Sequence, residues 1–170
     1  DFDDCVKRKA DDYNIVMIFD NSESQLTTDP TSVRRIAAMD FVRTWAGFTD
    51  RNPGTRVNLA VIAFNDRVLF SSSFTRLSGA TRQQVICEVD RATTAPQGFT
   101  AYTPPLKEAD RLLGQINVST RAANYVIFLT DGEPNALKFN SSVTNESTNE
   151  ILGGTKALIN NHKANFFVIA

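Results

Sequence analysis

Oxygen-bearing side chains follow directly after a short apolar run near the start of the chain. Residues 15–19 are all apolar, and Asp20, Ser22 and Ser24 come next at alternate positions. An apolar run of this length, bounded by polar residues, is typical of a strand that is buried on both faces. Carboxylate and hydroxyl oxygens are the ligands that a hard cation such as Mg²⁺ prefers, with water completing its shell. Taken alone, the pattern also fits a loop that caps the following helix.

Two later segments favour the metal site over the capping loop. Residues 123–130 form a second buried-strand pattern, and Asp131 follows it directly. Thr100 lies in an irregular segment just before a helix. If the two strands are neighbours at the point where the strand order reverses, their carboxyl ends share one crevice. The crevice would then hold five oxygen donors from three loops: Asp20, Ser22, Ser24, Thr100 and Asp131.

This donor set is suited to holding a cation. It contains only two carboxylates, so a carboxylate from a partner could complete the shell, because hard cations favour anionic oxygen. No general base or activated nucleophile accompanies the set, and His162, the single histidine, has no spaced partner for zinc. We therefore expect binding and not an enzyme. A metal-dependent hydrolase that uses Asp20 and Asp131 is the weakest hypothesis.

Buried strands alternate with amphipathic helices along the chain. The predicted strands cover residues 13–19, 57–64, 67–74, 123–130 and 166–170, and the predicted helices cover 31–48, 81–92, 104–116 and 151–161. The break at Asn65 and Asp66 is too short for a parallel return, so the third strand is expected to be an antiparallel edge. The order predicts an α/β fold with a doubly wound, mostly parallel sheet and helices on both faces.

Size and charge restrict the class of protein. The chain has 170 residues, of which 42 % are hydrophobic, and this suits one domain with its own core. A net charge of -1, with no strong run of either sign, argues against a nucleic-acid surface or a basic membrane-binding face. No segment approaches the ~18 apolar residues of a spanning helix. Residues 1–12 are charged and predict an N-terminal tether before a domain over 13–170.

The separated pieces resemble the metal-ion-dependent adhesion site (MIDAS) of von Willebrand factor A (vWA) domains, also called integrin I domains. Asp20, Ser22 and Ser24 match the family's Asp-x-Ser-x-Ser. Thr100 matches its second-loop threonine, and Asp131 matches its third-loop aspartate. The resemblance implies a Rossmann-like fold and a bound divalent cation, normally Mg²⁺, with Mn²⁺ or Ca²⁺ as alternatives. It also implies that a Glu or Asp of a partner takes the open coordination position.

Two departures from the family pattern are visible. The family's second loop often reads Gly-Gly-Thr-x-Thr-Gly, whereas the segment around Thr100 carries the bulkier Phe99 and Tyr102. These rings either shape the contact surface or pack beneath the loop. The family also continues beyond the strand at Phe166 with a further strand and a last helix. The resemblance therefore predicts a domain that lacks those two elements.

The resemblance implies an adhesion or ligand-binding module of an extracellular or cell-surface protein, which holds a cation that bridges to an acidic residue of a protein or matrix ligand. The alternative is an intracellular vWA scaffold domain that assembles with an ATPase-type complex. Three Asn-x-Ser/Thr sequons, at Asn117, Asn140 and Asn145, favour the extracellular hypothesis. A disulfide between Cys5 and Cys87 would favour it further, since cytosolic thiols stay reduced.

The remaining notable residues receive plain structural interpretations. Cys87 lies in an apolar helical pattern, which predicts a small buried thiol. Arg34 and Arg35 are interpreted as a solvated helix face. Residues 26–30 are predicted to be a connector, and either Thr31 or Ser32 is expected to cap the helix that follows.

Overall fold

The structure, a computed structural model, describes residues 12–116, 122–131 and 148–169. This part of the chain holds the strands β1 (Asp12–Asp20), β2 (Arg56–Phe64), β3 (Val68–Ser71), β4 (Thr75–Arg76), β5 (Ala122–Leu129) and β6 (Asn165–Ile169). It also holds the helices α1 (Gln25–Thr28), α2 (Val33–Arg51), α3 (Arg82–Ala92), α4 (Thr103–Gly114) and α5 (Thr148–His162). The predictions for Cys5 and for the three sequons concern residues outside these ranges.

The strands form one mostly parallel sheet in the order β3-β2-β1-β5-β6, with β4 also paired to β2. β1 runs parallel to both β2 and β5, and β6 runs parallel to β5. β3 and β4 are antiparallel to β2, because the turn after Phe64 is too short for a crossover. The predicted doubly wound sheet with an antiparallel edge is confirmed. Its strand order reverses between β1 and β5, where Phe19 pairs with Leu129.

Two cores cover the two faces of the sheet. On one face, Ile15, Met17 and Phe19 pack with residues of α2 and α3. On the other face, Val16 and Ile18 pack with residues of α4 and α5. Because both faces of β1 are covered, its sequence is a continuous apolar run without the alternation of a half-exposed strand.

A row of asparagines crosses the sheet near the amino ends of its central strands. Asn14 pairs in register with Asn58 of β2 and with Asn124 of β5. The Asn58 Nδ2 donates to Asn14 Oδ1 at 2.8 Å, and the Asn14 Nδ2 donates to Asn124 Oδ1 at 2.9 Å. The Asn124 Nδ2 in turn donates to the His162 carbonyl at 2.8 Å. The buried amides of Asn14 and Asn124 thus find partners on neighbouring strands, and the row connects the sheet register to the end of α5.

The edge strand β6 is the most exposed apolar element of the described structure. Phe167, Val168 and Ile169 have exposed fractions of 52 %, 60 % and 54 %. The Phe167 ring stacks on Tyr125 with centroids 6.3 Å apart, and Tyr125 stacks on Tyr13 at the same distance. Within the described residues, no helix combines the length and the apolar character that crossing a bilayer requires.

Cys87 is exposed on α3, so the predicted buried thiol was wrong. Val85 and Val89 are one helical turn apart, and both are fully buried against the sheet. Cys87 lies two residues from each of them, which places it on the opposite side of the helix. The apolar pattern was correct for the helix, but Cys87 is outside the buried stripe.

Candidate metal centre

Asp20 ends β1 with a side chain that is completely buried. Its Oδ1 accepts a hydrogen bond from the Ser22 backbone N–H at 3.0 Å. Its Oδ2 accepts a hydrogen bond from the Thr130 hydroxyl at 2.7 Å. Thr130 directly follows β5, so the neighbouring strands β1 and β5 place the donor and the acceptor together at their carboxyl ends. The carboxylate is therefore held in one orientation from two sides.

Hydroxyl groups connect the first loop to the carboxylate of the third. The Ser24 Oγ donates to Asp131 Oδ1 at 3.0 Å, and the Ser22 Oγ lies 3.0 Å from the Ser24 Oγ. Ser24 has a single hydroxyl proton, which it gives to Asp131, so Ser22 is the donor between the two serines. The hydrogen-bonded set thus brings together four of the five predicted residues, and the serine lone pairs stay available to a cation.

Thr100, the fifth predicted residue, is 2 % exposed in a loop that is hydrogen bonded to the first. The Glu23 N–H donates to the Gly98 carbonyl at 3.1 Å. On the other side of Thr100, the Ala101 N–H donates to the Asn65 carbonyl at 2.8 Å. Backbone hydrogen bonds on both sides of Thr100 therefore hold the second loop at the same end of the sheet as Asp20.

Gly98 has a conformation that requires glycine. Its φ is +76°, and a Cβ built there would lie 2.8 Å from the Asn65 Nδ2. We expect Gly98→Ala to destabilise the protein by about 1–3 kcal/mol, because both the backbone and the Asn65 side chain must adjust. The measurement is the free energy of unfolding from urea titrations. Gly54→Ala is the matched control, since a Cβ at Gly54 meets nothing within 4 Å. Equal losses in the two variants would contradict the expected role of Gly98.

Tyr102 packs beneath the second loop, which decides between the two alternatives for this ring. Its centroid lies 6.0 Å from Phe64 and 5.1 Å from Phe128, both in edge-to-face geometry. Its hydroxyl lies 2.9 Å from the Thr130 hydroxyl. Because Thr130 gives its proton to Asp20, Tyr102 is the donor to Thr130. The ring therefore supports the buried carboxylate from below.

The electrostatics of Asp20 fit a cation. Burial raises the pKa of the Asp20 carboxyl, the hydrogen bonds from Ser22 and Thr130 act to lower it, and the charge of Asp131 raises it further. Among the described residues, no cationic side chain forms an ion pair with this carboxylate. The burial of Asp20 and its repulsion by Asp131 are both unfavourable to the charged form, and a divalent cation would offset them. The described residues contain no cluster of three His, Cys, Asp or Glu side chains, so this site differs from a metal site built from such residues alone.

Arg34 contacts the site, so its interpretation as part of a solvated face was wrong. Its side chain is 12 % exposed, its Nη1 donates to the Asp20 carbonyl, and its Nε lies 3.3 Å from Asp29 Oδ2. Burial lowers the pKa of the Arg34 guanidinium, while Asp29, Asp20 and Asp131 act to raise it. Arg35 differs, since it is 42 % exposed and pairs with Asp90. The amino end of α2 lies against the end of β1, and helical spacing alone does not reveal that contact.

The cap of α2 comes from Asp29, and not from Thr31 or Ser32 as predicted. The Val33 N–H donates to Asp29 Oδ1 at 2.6 Å, and the Arg34 N–H donates to Asp29 Oδ2 at 3.3 Å. Ser32 has a φ of +55° and makes no side-chain capping bond. The predicted connector also contains the single helical turn α1, which ends at Thr28. Asp29 therefore holds the end of α2 that lies against the loop after β1, although the sequence pattern did not mark it.

Comparisons with known proteins place the chain in one family. The model of the von Willebrand factor type A domain matches residues 15–133. No curated protein matches the chain.

Three solved structures show the same fold at low sequence identity. Proximal thread matrix protein 1 from the mussel byssus, with zinc in its MIDAS motif, is 22 % identical with a TM-score of 0.61, over 94 % of this chain and 35 % of that one. Manganese-loaded TRAP protein of Plasmodium vivax is 18 % identical with a TM-score of 0.60, over 94 % and 58 %. The pilus adhesin SpaC of Lactobacillus rhamnosus GG is 22 % identical with a TM-score of 0.55, over 75 % and 15 %. The chain therefore spans between 15 % and 58 % of the length of these proteins.

Proposed function

The chain belongs to the von Willebrand factor type A domain family, and we propose that it is a metal-dependent adhesion module that binds an acidic group of a protein partner. Asp20 and Asp131 supply the anionic oxygens, which act directly or through water. Ser22, Ser24 and Thr100 supply neutral oxygens. The cation is Mg²⁺, and a Glu or Asp carboxylate of the partner takes the remaining position. The module works outside the cell or on its surface.

One observation carries the proposal, namely the arrangement of oxygens at the carboxyl ends of β1 and β5. Ser22, Ser24 and Asp131 are joined by successive contacts of 3.0 Å. Beside them, Asp20 is a fully buried anion that is held only by neutral donors among the described residues. Oriented oxygens around two neighbouring carboxylates are suited to a hard cation.

The structural relatives support the cation and the type of partner. One relative carries zinc in this motif, another is loaded with manganese, and a third is a pilus adhesin. A divalent cation and a protein ligand are therefore reasonable for this chain. The open position would accept an acidic side chain, because two carboxylates and a partner carboxylate together surround a doubly charged ion with anionic oxygen.

The position of the only histidine supports binding over catalysis. His162 lies next to Asn124, at the opposite end of the sheet from the carboxylates, and its Nε2 is 2.9 Å from Asp110 Oδ1. Asn124 lies level with Asn14, six residues before Asp20 along β1, which corresponds to about 20 Å. The histidine is therefore too far from the site to act there as a general base.

Calorimetric titration with Mg²⁺ and Mn²⁺ tests the metal site. We expect the unmodified chain to bind one ion of either kind and Asp131→Ala to bind at least about 10-fold more weakly, because one of two anionic ligands is lost. Asp40→Ala is the matched control, since Asp40 pairs with Arg43 on the exposed side of α2. Circular dichroism verifies that each variant folds. An unmodified chain that binds neither ion would disprove the metal site.

The open coordination position is tested with the metal-loaded chain and two immobilised peptides. The peptides differ only in a single Glu, which is replaced by Gln in the second. We expect the Glu peptide to bind more tightly in Mg²⁺, and we expect the difference to vanish in EDTA. Equal binding of both peptides in Mg²⁺ would contradict acidic-ligand recognition and would favour the scaffold alternative.

A further inference from the structure

The third-loop carboxylate is held by a residue outside the metal-site pattern. Asp131 Oδ1 accepts the hydroxyl of Ser24, which belongs to the pattern. Asp131 Oδ2 accepts the hydroxyl of Thr28 at 2.5 Å, and Thr28 does not belong to the pattern. Both oxygens of this carboxylate are thus fixed by side chains of the segment that follows β1. The short distance is typical of a hydroxyl that donates to an ionised carboxylate.

We propose that Thr28 is a positioning residue of the metal site, which orients the Asp131 carboxylate for the cation. This role rests on the proposed function, since it has meaning only if the site binds a metal ion. Partners of ligating carboxylates fix their orientation, and loss of such a partner typically costs a factor of about 10–100 in metal affinity. Thr28 is such a partner, because its hydroxyl holds Asp131 Oδ2 while the Ser24 hydroxyl holds Asp131 Oδ1.

The single turn of α1 is what brings Thr28 to Asp131. Ser24 precedes this helix and Thr28 ends it, so the two side chains lie one turn apart on the same face. The Thr28 Oγ1 also lies 3.0 Å from the Ser24 carbonyl, which anchors the hydroxyl near the backbone of its own loop. A backbone contact on one side and Asp131 on the other define the threonine side-chain orientation. The first and third loops are thereby tied together across 103 positions of sequence.

Thr27 is a natural control for this arrangement. Its hydroxyl donates to the same Ser24 carbonyl at 2.8 Å, and the side chain is exposed, as is that of Thr28. The described contacts of the Thr27 hydroxyl do not include Asp131. Valine has nearly the same shape as threonine but lacks the hydroxyl. Thr27→Val and Thr28→Val therefore each remove a hydroxyl that lies within 3.0 Å of the Ser24 carbonyl, and only Thr28→Val removes the bond to Asp131.

The experiment compares Mg²⁺ affinity in the unmodified chain, Thr27→Val, Thr28→Val and Thr28→Ser. We expect Thr28→Val to weaken Mg²⁺ binding about 10-fold or more. We expect Thr27→Val and Thr28→Ser to stay within about 3-fold of the unmodified chain, because each retains a hydroxyl donor to Asp131. Urea unfolding in EDTA should give similar midpoints for both valine variants, so that a difference in affinity cannot come from stability.

The outcomes separate the positioning role from the proposed function. Unchanged affinity in Thr28→Val, with normal binding by the unmodified chain, overturns the positioning role and leaves the adhesion site intact. Equal losses in Thr27→Val and Thr28→Val also overturn it, since the effect would then come from the Ser24 carbonyl. Failure of the unmodified chain to bind Mg²⁺ overturns the proposed function and this role together.

Discussion

Replacing Asp20 with asparagine is expected to lower the affinity for Mg²⁺ at least about 100-fold, equal to about 2.8 kcal/mol. The physical reason is that the carboxylate is a buried anion at the proposed metal position. A single pair of unit charges 4 Å apart is worth about 4 kcal/mol at an effective dielectric constant of 20, so loss of the charge alone accounts for the change. Calorimetry with Mg²⁺ measures this difference.

The same substitution is expected to leave the metal-free protein at least as stable as the unmodified chain at neutral pH. Burial raises the pKa of Asp20, which means that the fold disfavours the charged form. Asparagine is neutral, keeps an oxygen for the Ser22 N–H, and can donate its amide to the Thr130 hydroxyl. Urea unfolding in EDTA measures the free energy. A clear loss of stability in Asp20→Asn would show that the buried charge does not destabilise the fold.

The dependence of stability on pH tests whether the fold raises the pKa of Asp20. A raised carboxyl pKa means that the folded protein binds this proton more tightly than the unfolded chain does. Stability in EDTA should therefore fall, through Asp20, as the pH rises from the ordinary value of 3.8 through the higher pKa of the fold. Asp20→Asn should lack this contribution, and saturating Mg²⁺ should remove it from the unmodified chain, because the cation displaces the proton. Urea titrations from acidic to neutral pH give the free energy of unfolding of the unmodified chain and of the variant. Their difference isolates the contribution of Asp20.

Asn14→Leu is expected to destabilise the protein by about 2–5 kcal/mol. Asn14 is 1 % exposed and lies between two other side-chain amides. Leucine would leave the buried Asn124 Oδ1 and the half-buried Asn58 Nδ2 without their present partners, and each buried group left in this way costs about 1–3 kcal/mol. Thermal or urea unfolding gives the loss directly.

Asn165→Leu is the control for this row. Asn165 is exposed, and its amide makes only a 3.3 Å bond to the Asn124 carbonyl, so we expect a loss below about 1 kcal/mol. Mg²⁺ affinity in folded Asn14→Leu should stay near that of the unmodified chain, because the row lies about 20 Å from Asp20. Similar losses in the two asparagine variants would contradict the special role of Asn14.

The proximity of the candidate metal ligands could be predicted because their local signals are strong. Strands buried on both faces are continuous apolar runs, so the ends of β1 and β5 are visible in the sequence, and Asp20 and Asp131 stand at those ends. The serines follow at fixed spacing. The topology rule for open sheets then places both carboxylates in one crevice, and the observed strand order agrees with it.

The supporting residues could not be predicted, because their contacts depend on three-dimensional placement. Arg34 has the spacing of an exposed helical residue. Its helix nevertheless begins against the end of β1, and the Arg34 side chain is mostly buried there. The sequence predicts a connector at Thr28 and Asp29, since nothing local shows that their side chains reach Asp131 and α2. Thr130 was visible only as the residue before Asp131. Its bond to Asp20 joins two strands that are far apart in sequence.

The exposed edge strand β6 has a consequence for the behaviour of this chain at high concentration. Three consecutive apolar side chains, Phe167, Val168 and Ile169, are more than half exposed, and only the side of the strand that faces β5 is paired in the described sheet. An apolar edge with unpaired backbone groups is a template on which another chain can add a strand, and natural proteins usually protect such edges with charges, proline or a covering element. Within the described residues, β6 is therefore an edge at which a second chain could add a strand. Association through β6, at the end of the sheet opposite β3, would then limit solubility at high concentration. This limit is independent of how well the fold resists unfolding.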